Sequence, residues 1–188
     1  MTRPCLLLID LLNDFLDSWP LEDVSRLVSA SNTLASAARH GGHPVIWVRQ
    51  EFLPDLSDAF LEMRDRNVSA CIAGTRGAQL HPQLDVSPLD HVIVKKRYSA
   101  FFRTGLDDLL GRLGVEQLII GGINTHACIR MAAIDAYQRD LRVILAEECL
   151  GSYASEHARI SLDYMNGKIA TVKSVSDILS DLRGTEPH

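Results

Sequence analysis

QLIIGGINTHACIRMAAIDAYQRDLRVILA, residues 117–146, is the stretch that decides the fold. Residues 117–121 (QLIIG) are apolar after Gln117, as expected of a strand buried on both faces of a parallel sheet. Residues 125–139 read as a helix, and residues 142–146 (RVILA) as the next strand. A strand, a helix and a second strand in close succession make a crossover unit, which sets its two strands parallel.

The same alternation extends outward from this unit. Upstream, CLLLID (5–10), PVIWV (44–48) and HVIVK (91–95) read as strands. Leu21, Val24, Leu27, Val28, Leu34 and Ala38 recur at helical spacing across 21–40, and Gly41-Gly42 stops that helix. A short helix is predicted over 106–113, ended by Gly114. Downstream, 155–166 is helical up to Gly167, 169–172 is a sixth strand, and Ser174 with Asp177 forms a capping pair that opens a last helix. The pattern predicts an α/β protein: a three-layer α/β/α, doubly wound, mostly parallel six-stranded sheet in a single domain over 1–188. Residues 51–88 carry no strong period and contain Pro54, Gly74, Gly77, Pro82 and Pro88. A connection this long is uncommon in a compact domain and is usually functional, so it is expected to act as a lid.

Composition narrows the function classes. The 188 residues are 46% hydrophobic and 23% charged, which is ordinary globular usage and disfavours disorder, collagen or coiled coil. Lys+Arg 19 against Asp+Glu 24 gives a net charge of −5 without a basic run, so no nucleic-acid or membrane partner is expected. No apolar run is long enough for a membrane span, and a cytoplasmic location is expected. Cys5, Cys71, Cys128 and Cys149 show neither CxxC nor Cys–His spacing, so they are expected to be free thiols.

In open parallel sheets ligands bind beyond the carboxyl ends of the strands. Asp10 ends the first strand and Lys95 the third, and Cys128 follows the fourth within a few residues. Taken singly each has an ordinary reading: Asp10 as a loop cap, Lys95 as a solvated strand end beside Lys96 and Arg97, Cys128 as a small buried hydrophobe. Together they make coherent chemistry. A thiol in the first turn of a helix, near an ammonium, is expected to be biased toward thiolate. A carboxylate beside it can take its proton and return one to a leaving amine. Backbone N–H groups at the same helix start can receive an oxyanion. His126, two residues before Cys128, does not share its helix face, so a Cys–His dyad is not expected. No G-x-G-x-x-G follows the first strand, which argues against a dinucleotide-binding enzyme.

Three blocks carry a family resemblance. LLLIDLLNDF (6–15), VIVKKRYSAFFRTGLDDLL (92–110) and LIIGGINTHACIRMAAIDAYQRDLRVILAEEC (118–149) resemble, in order, the motif blocks of the isochorismatase-like cysteine hydrolases. The resemblance implies that family's fold. It also implies an amidohydrolase cleaving a linear C–N bond through a thioester, with Asp10 as general base and acid, Lys95 as its partner and Cys128 as nucleophile. It implies a cis peptide at Ile123–Asn124 and oxyanion donors in the backbone N–H groups of Asn124 and Cys128. Phe15, Tyr98 and Phe101 match aromatic positions around the family's active site, although core packing is an equal reading for Phe101.

The departures matter as much. Metal-holding relatives carry an Asp-x-His pair after the second strand, where this chain has Gln50-Glu51-Phe52-Leu53. Glu51 could stand for the Asp, but Leu53 cannot be a ligand, and His81 is the only further candidate nearby. No metal and no cofactor are therefore expected. Leu12 replaces a family Gln. The presence of Cys128 argues against the vinyl-ether hydrolysis of true isochorismatases. The expected partner is a small-molecule amide or ureide, with Arg64, Arg66 and Arg76 as possible carboxylate anchors, and the resemblance implies a homo-oligomer. The competing reading is a non-catalytic or redox metabolite-binding protein with a reactive Cys128.

Overall fold

A computed structural model describes residues 2–183. Six strands form one parallel sheet in the order β3-β2-β1-β4-β5-β6. They are β1 (Pro4–Ile9), β2 (Val45–Gln50), β3 (His91–Lys95), β4 (Gln117–Ile123), β5 (Arg142–Gly151) and β6 (Thr171–Lys173). The helices are α1 (Asn13–Leu16), α2 (Leu21–His40), α3 (Leu61–Asp65), α4 (Leu106–Leu113), α5 (Arg130–Tyr137), α6 (Ser155–Met165) and α7 (Val175–Arg183). The chain winds outward from β1 to β3, then returns to the other side of β1 with β4. The direction of winding therefore reverses between β1 and β4, which is where such sheets open a crevice.

The sheet is covered on both faces, and β1 shows why its sequence has no polar alternation. Cys5, Leu7 and Ile9 point into one core with residues of α4, α5 and α6. Leu6 and Leu8 point into the other with residues of α2 and α7. Period-two geometry thus sends successive apolar residues to opposite layers, and both layers are dry. A third cluster, including Leu12, Phe52, Leu56 and Cys71, lies beneath the 51–88 segment. No helix among the described residues is long and apolar enough to cross a membrane.

The element boundaries differ from the sequence reading mostly at the carboxyl ends of strands. β2, β4 and β5 each run two or more residues further than expected. Polar residues such as Gln50 and Glu147-Glu148 broke the apolar runs; Gln50 still pairs with Lys95, and β5 passes Glu147-Glu148 through a register shift before it pairs with β4 again at Leu150 and Gly151. The sixth strand is Thr171–Lys173 rather than 169–172. The single helix expected over 125–139 is instead a π-helical turn, Thr125–Ile129, followed by α5. The ends of α2 and α4 fall where the glycines placed them, with Gly114 in the left-handed region at φ 64°. Ser174 Oγ accepts from the Asp177 N–H at 3.1 Å, which completes half of the expected capping pair.

Candidate active site

Three strand ends build the site. Asp10 follows β1 with its backbone N–H bonded to Val48 O at 2.8 Å. Its φ of 59° lies in the left-handed region, which carboxylates tolerate better than most side chains and which often marks functional turns. Lys95 ends β3, paired in register with Gln50 at the end of β2. Beyond β4, the register against β5 shifts between Ile120 and Gly122. Gly122 sits at φ 118°, and a Cβ there would stand 2.0 Å from Ile9 O, so only glycine lets β4 pass β1 this closely. The Ile123–Asn124 peptide bond is cis, and the π-turn that follows carries Cys128.

These residues meet. Lys95 Nζ lies 2.7 Å from Asp10 Oδ2, 2.8 Å from Gln50 Oε1, 3.1 Å from Arg97 O and 3.5 Å from Cys128 Sγ. The Lys95 and Asp10 side chains are 0% and 1% exposed. Neither Asp10 oxygen has an aligned hydrogen-bond partner; the contact with Lys95 is an ion pair, and both oxygens retain accepting capacity. Burial alone would pull the Lys95 ammonium down, but its interactions with Asp10 and Cys128 together outweigh burial and raise its pKa. Burial pushes the Cys128 thiol up to about 12, Asp10 adds to that rise, and Lys95 only partly opposes it. The sequence expectation of a helix-start thiolate is therefore overturned. In a dry site with one adjacent anion and one adjacent cation, desolvation decides, and the resting group is S–H.

Asp10 and Cys128 open onto a cavity of about 470 Å³. Its wall includes Phe15, Tyr98 and Asn124, and half of it comes from the 51–88 segment, including Phe52, Phe60, Glu62, Met63, Val68 and Cys71. Phe101 does not line it. That ring is 3% exposed within the core on the α4 side and carries the Arg139 guanidinium at 4.5 Å. Ser99 Oγ accepts from the Phe101 N–H at 3.1 Å and so turns consecutive aromatics to different sides. The candidate anchors Arg64, Arg66 and Arg76 are also absent from the wall. Arg66 pairs with Glu62 at 3.0 Å and Arg76 with Asp17. His126 faces Ser152, with Nδ1 2.7 Å from its hydroxyl, rather than the thiol. Glu51 pairs with Arg49 at 3.1 Å, and the His81 ring contacts the Gln83 N–H.

Sequence reasoning missed Gln50, which holds the Lys95 ammonium. The signal was available, because Gln50 ends a strand on the same sheet edge as Asp10 and Lys95. The wall residues Phe60, Met63 and Tyr153 gave no such signal, since no periodicity places a loop side chain.

Comparisons with known proteins give the family and the fold. Residues 4–177 match the model of the isochorismatase domain. The chain is 36% identical over 143 residues to a probable inactive nicotinamidase of Arabidopsis thaliana, covering 72% of this chain and 73% of that protein. An isochorismatase family protein from Desulfovibrio vulgaris superposes with a TM-score of 0.88 at 29% identity, over 97% of this chain and all of that one. N-carbamoylsarcosine amidase from Thermoplasma acidophilum superposes with a TM-score of 0.80 at 25% identity, over 93% and 97% of the two chains. With a fold of this order and a family match over nearly its whole length, the chain belongs to the isochorismatase family of hydrolases.

Proposed function

We propose that the protein is a cysteine-dependent amidohydrolase that cleaves a linear C–N bond of an amide, carbamoyl or ureido group. The observation that carries this reading is the contact of one ammonium with both a carboxylate and a thiol, at 2.7 and 3.5 Å, at the floor of a cavity. Amidase relatives support it.

The steps follow from the resting protonation states. Cys128 Sγ attacks the carbonyl carbon while Asp10 takes the thiol proton. The carbonyl oxygen becomes an oxyanion toward the Asn124 and Cys128 backbone N–H groups. The C–N bond breaks as Asp10 returns the proton to the leaving nitrogen, and a thioester remains. Water then adds to the thioester carbon with Asp10 again as base. Breaking the C–S bond releases the acid and restores the thiol. Lys95 faces whichever of Asp10 and Sγ is anionic.

The test is ammonia release from a panel of primary amides and ureides by wild type and Cys128→Ala. Wild-type turnover of at least one compound is expected, with a loss of more than about a thousandfold in the variant at unchanged melting temperature. Turnover by the variant above a tenth of wild type, about 1.4 kcal/mol of barrier, would exclude Cys128 as nucleophile.

A further inference from the structure

The walls of the cavity differ in kind from its floor. Phe52, Phe60 and Tyr98 form a run of rings, with successive centroids 5.9 and 5.1 Å apart, and Met63 and Val68 continue the apolar surface. The charged side chains that line the cavity are both carboxylates, Asp10 and Glu62. The nearby cations are engaged elsewhere. Lys95 has three N–H donors, which go to Gln50 Oε1, the Arg97 carbonyl and Cys128 Sγ, and its charge is paired with Asp10. Arg97 stacks on Phe60 at 5.0 Å and donates from Nη1 to the carbonyls of Asp58 and Lys96, but it is not part of the cavity lining. Arg66 is paired with Glu62 at the surface.

Resting on the amidohydrolase reading, we infer that this cavity admits an uncharged amide whose remainder is an aromatic or branched apolar group, and that it rejects amides bearing a carboxylate on that remainder. An anionic group entering here would give up its water against aromatic and aliphatic side chains. It would also find no cationic side chain in the cavity lining to pair with. An uncharged ring loses nothing polar and buries its surface against three other rings. A cavity of about 470 Å³ holds a single-ring compound.

The test compares 3-phenylpropanamide with 3-(4-carboxyphenyl)propanamide, whose added charge is remote from the reacting carbon. Binding to the Cys128→Ala protein is measured by calorimetry, and ammonia release by the wild type. The uncharged amide is expected to bind at least tenfold more tightly and, in the wild type, to show at least tenfold higher kcat/KM. Val68→Arg, which places a guanidinium on the apolar wall, should raise affinity for the carboxylate compound at least tenfold with the melting temperature unchanged. Equal or tighter binding of the carboxylate compound, or no binding of either at 10 mM, overturns the inference. Selective binding of the uncharged amide without ammonia release supports the cavity's preference while counting against the hydrolase reading. Equal turnover of both compounds leaves the hydrolase reading standing and removes this inference.

Discussion

Alkylation of Cys128 before and after Asp10→Asn tests the electrostatic balance of the site most directly. With the thiol raised to about 12, only about one molecule in 100,000 carries thiolate at pH 7. A free cysteine, with a pKa near 8.5, is about 3% thiolate. The more basic thiolate is intrinsically more nucleophilic, with a Brønsted slope of about 0.4–0.5, and this recovers roughly 40-fold of the deficit. The net expectation is iodoacetamide labelling about 100-fold slower than free cysteine at pH 7, climbing tenfold per pH unit up to at least pH 10. Asp10→Asn removes the anion and leaves the Lys95 ammonium acting alone. A charge at contact distance moves a neighbour's pKa by about 1–3 units, so labelling should accelerate by roughly 3- to 50-fold after the same Brønsted correction. Amide hydrolysis by that variant should fall in kcat more than in KM, since Asn can neither take nor return the proton. Peptide mapping of timed labelling reactions reads the rates cysteine by cysteine. Wild-type Cys128 reacting as fast as free cysteine at pH 7, or Asp10→Asn slowing it, would refute the protonated resting state.

Three further outcomes are expected. Lys95→Met strands a fully buried carboxylate and should cost about 3–5 kcal/mol, seen as a melting temperature lower by roughly 6–20 °C, with at least half recovered when Asp10→Asn is added; a loss below about 1 kcal/mol would mean that the pair is not buried as described. Asp90 is held below its usual carboxylate range because Arg39, Trp47 Nε1 and the Ser87 N–H outweigh its burial, so its contribution is present above the unfolded pKa near 4 and is lost as pH falls through the lower folded value. Asp90→Asn should therefore cost about 2 kcal/mol at pH 7 in urea unfolding, with the cost shrinking as pH falls below the unfolded value near 4, and a pH-independent difference would refute the coupling. Ammonia release should survive dialysis against EDTA, because Leu53 brings no ligand atom and Glu51 is engaged by Arg49; activity lost and restored by zinc, iron or manganese would overturn this.

The sequence was most legible where one physical rule acted alone. Residues 5–9 had to be a doubly buried strand because no polar residue interrupts them, and Gly114 had to end a helix because its backbone turns left-handed. Asp10, Lys95 and Cys128 were legible because strand ends of a parallel sheet converge on one edge. Legibility failed where two rules competed. Helix-dipole reasoning favoured a thiolate at Cys128, but at 5% exposure desolvation is the larger effect. Phe101 shares a motif with Tyr98, yet a single turn fixed by Ser99 sends one ring to the core and leaves the other at the cavity. The arginines of the 51–88 segment looked like anchors because sequence shows charge without showing partners, and acidic neighbours had already claimed Arg66 and Arg76.

The protonated thiol also explains why the carboxylate and the ammonium occur together in so dry a place. In the proposed resting site Asp10 and Lys95 form an ion pair, −1 and +1, and Cys128, its pKa raised by burial, carries 0. After the proton transfer of the proposed acylation step they would be 0, +1 and −1. The sum is zero in both states, so the step does not add net charge to a low-dielectric interior, where an unpaired charge would cost several kcal/mol. Only the position of the anion changes, and Lys95 is within reach of both positions, at 2.7 Å from one and 3.5 Å from the other. Gln50 and the Arg97 carbonyl hold the ammonium fixed while the anion moves. A site with thiol and carboxylate but no central cation would face an uncompensated anion in both states. A site with thiol and ammonium alone would stabilise the thiolate but have no group to carry its proton to a leaving nitrogen. The arrangement at the ends of β1, β3 and β4 meets both requirements with one lysine, and the parallel sheet supplies the fixed spacing that lets a single side chain do so.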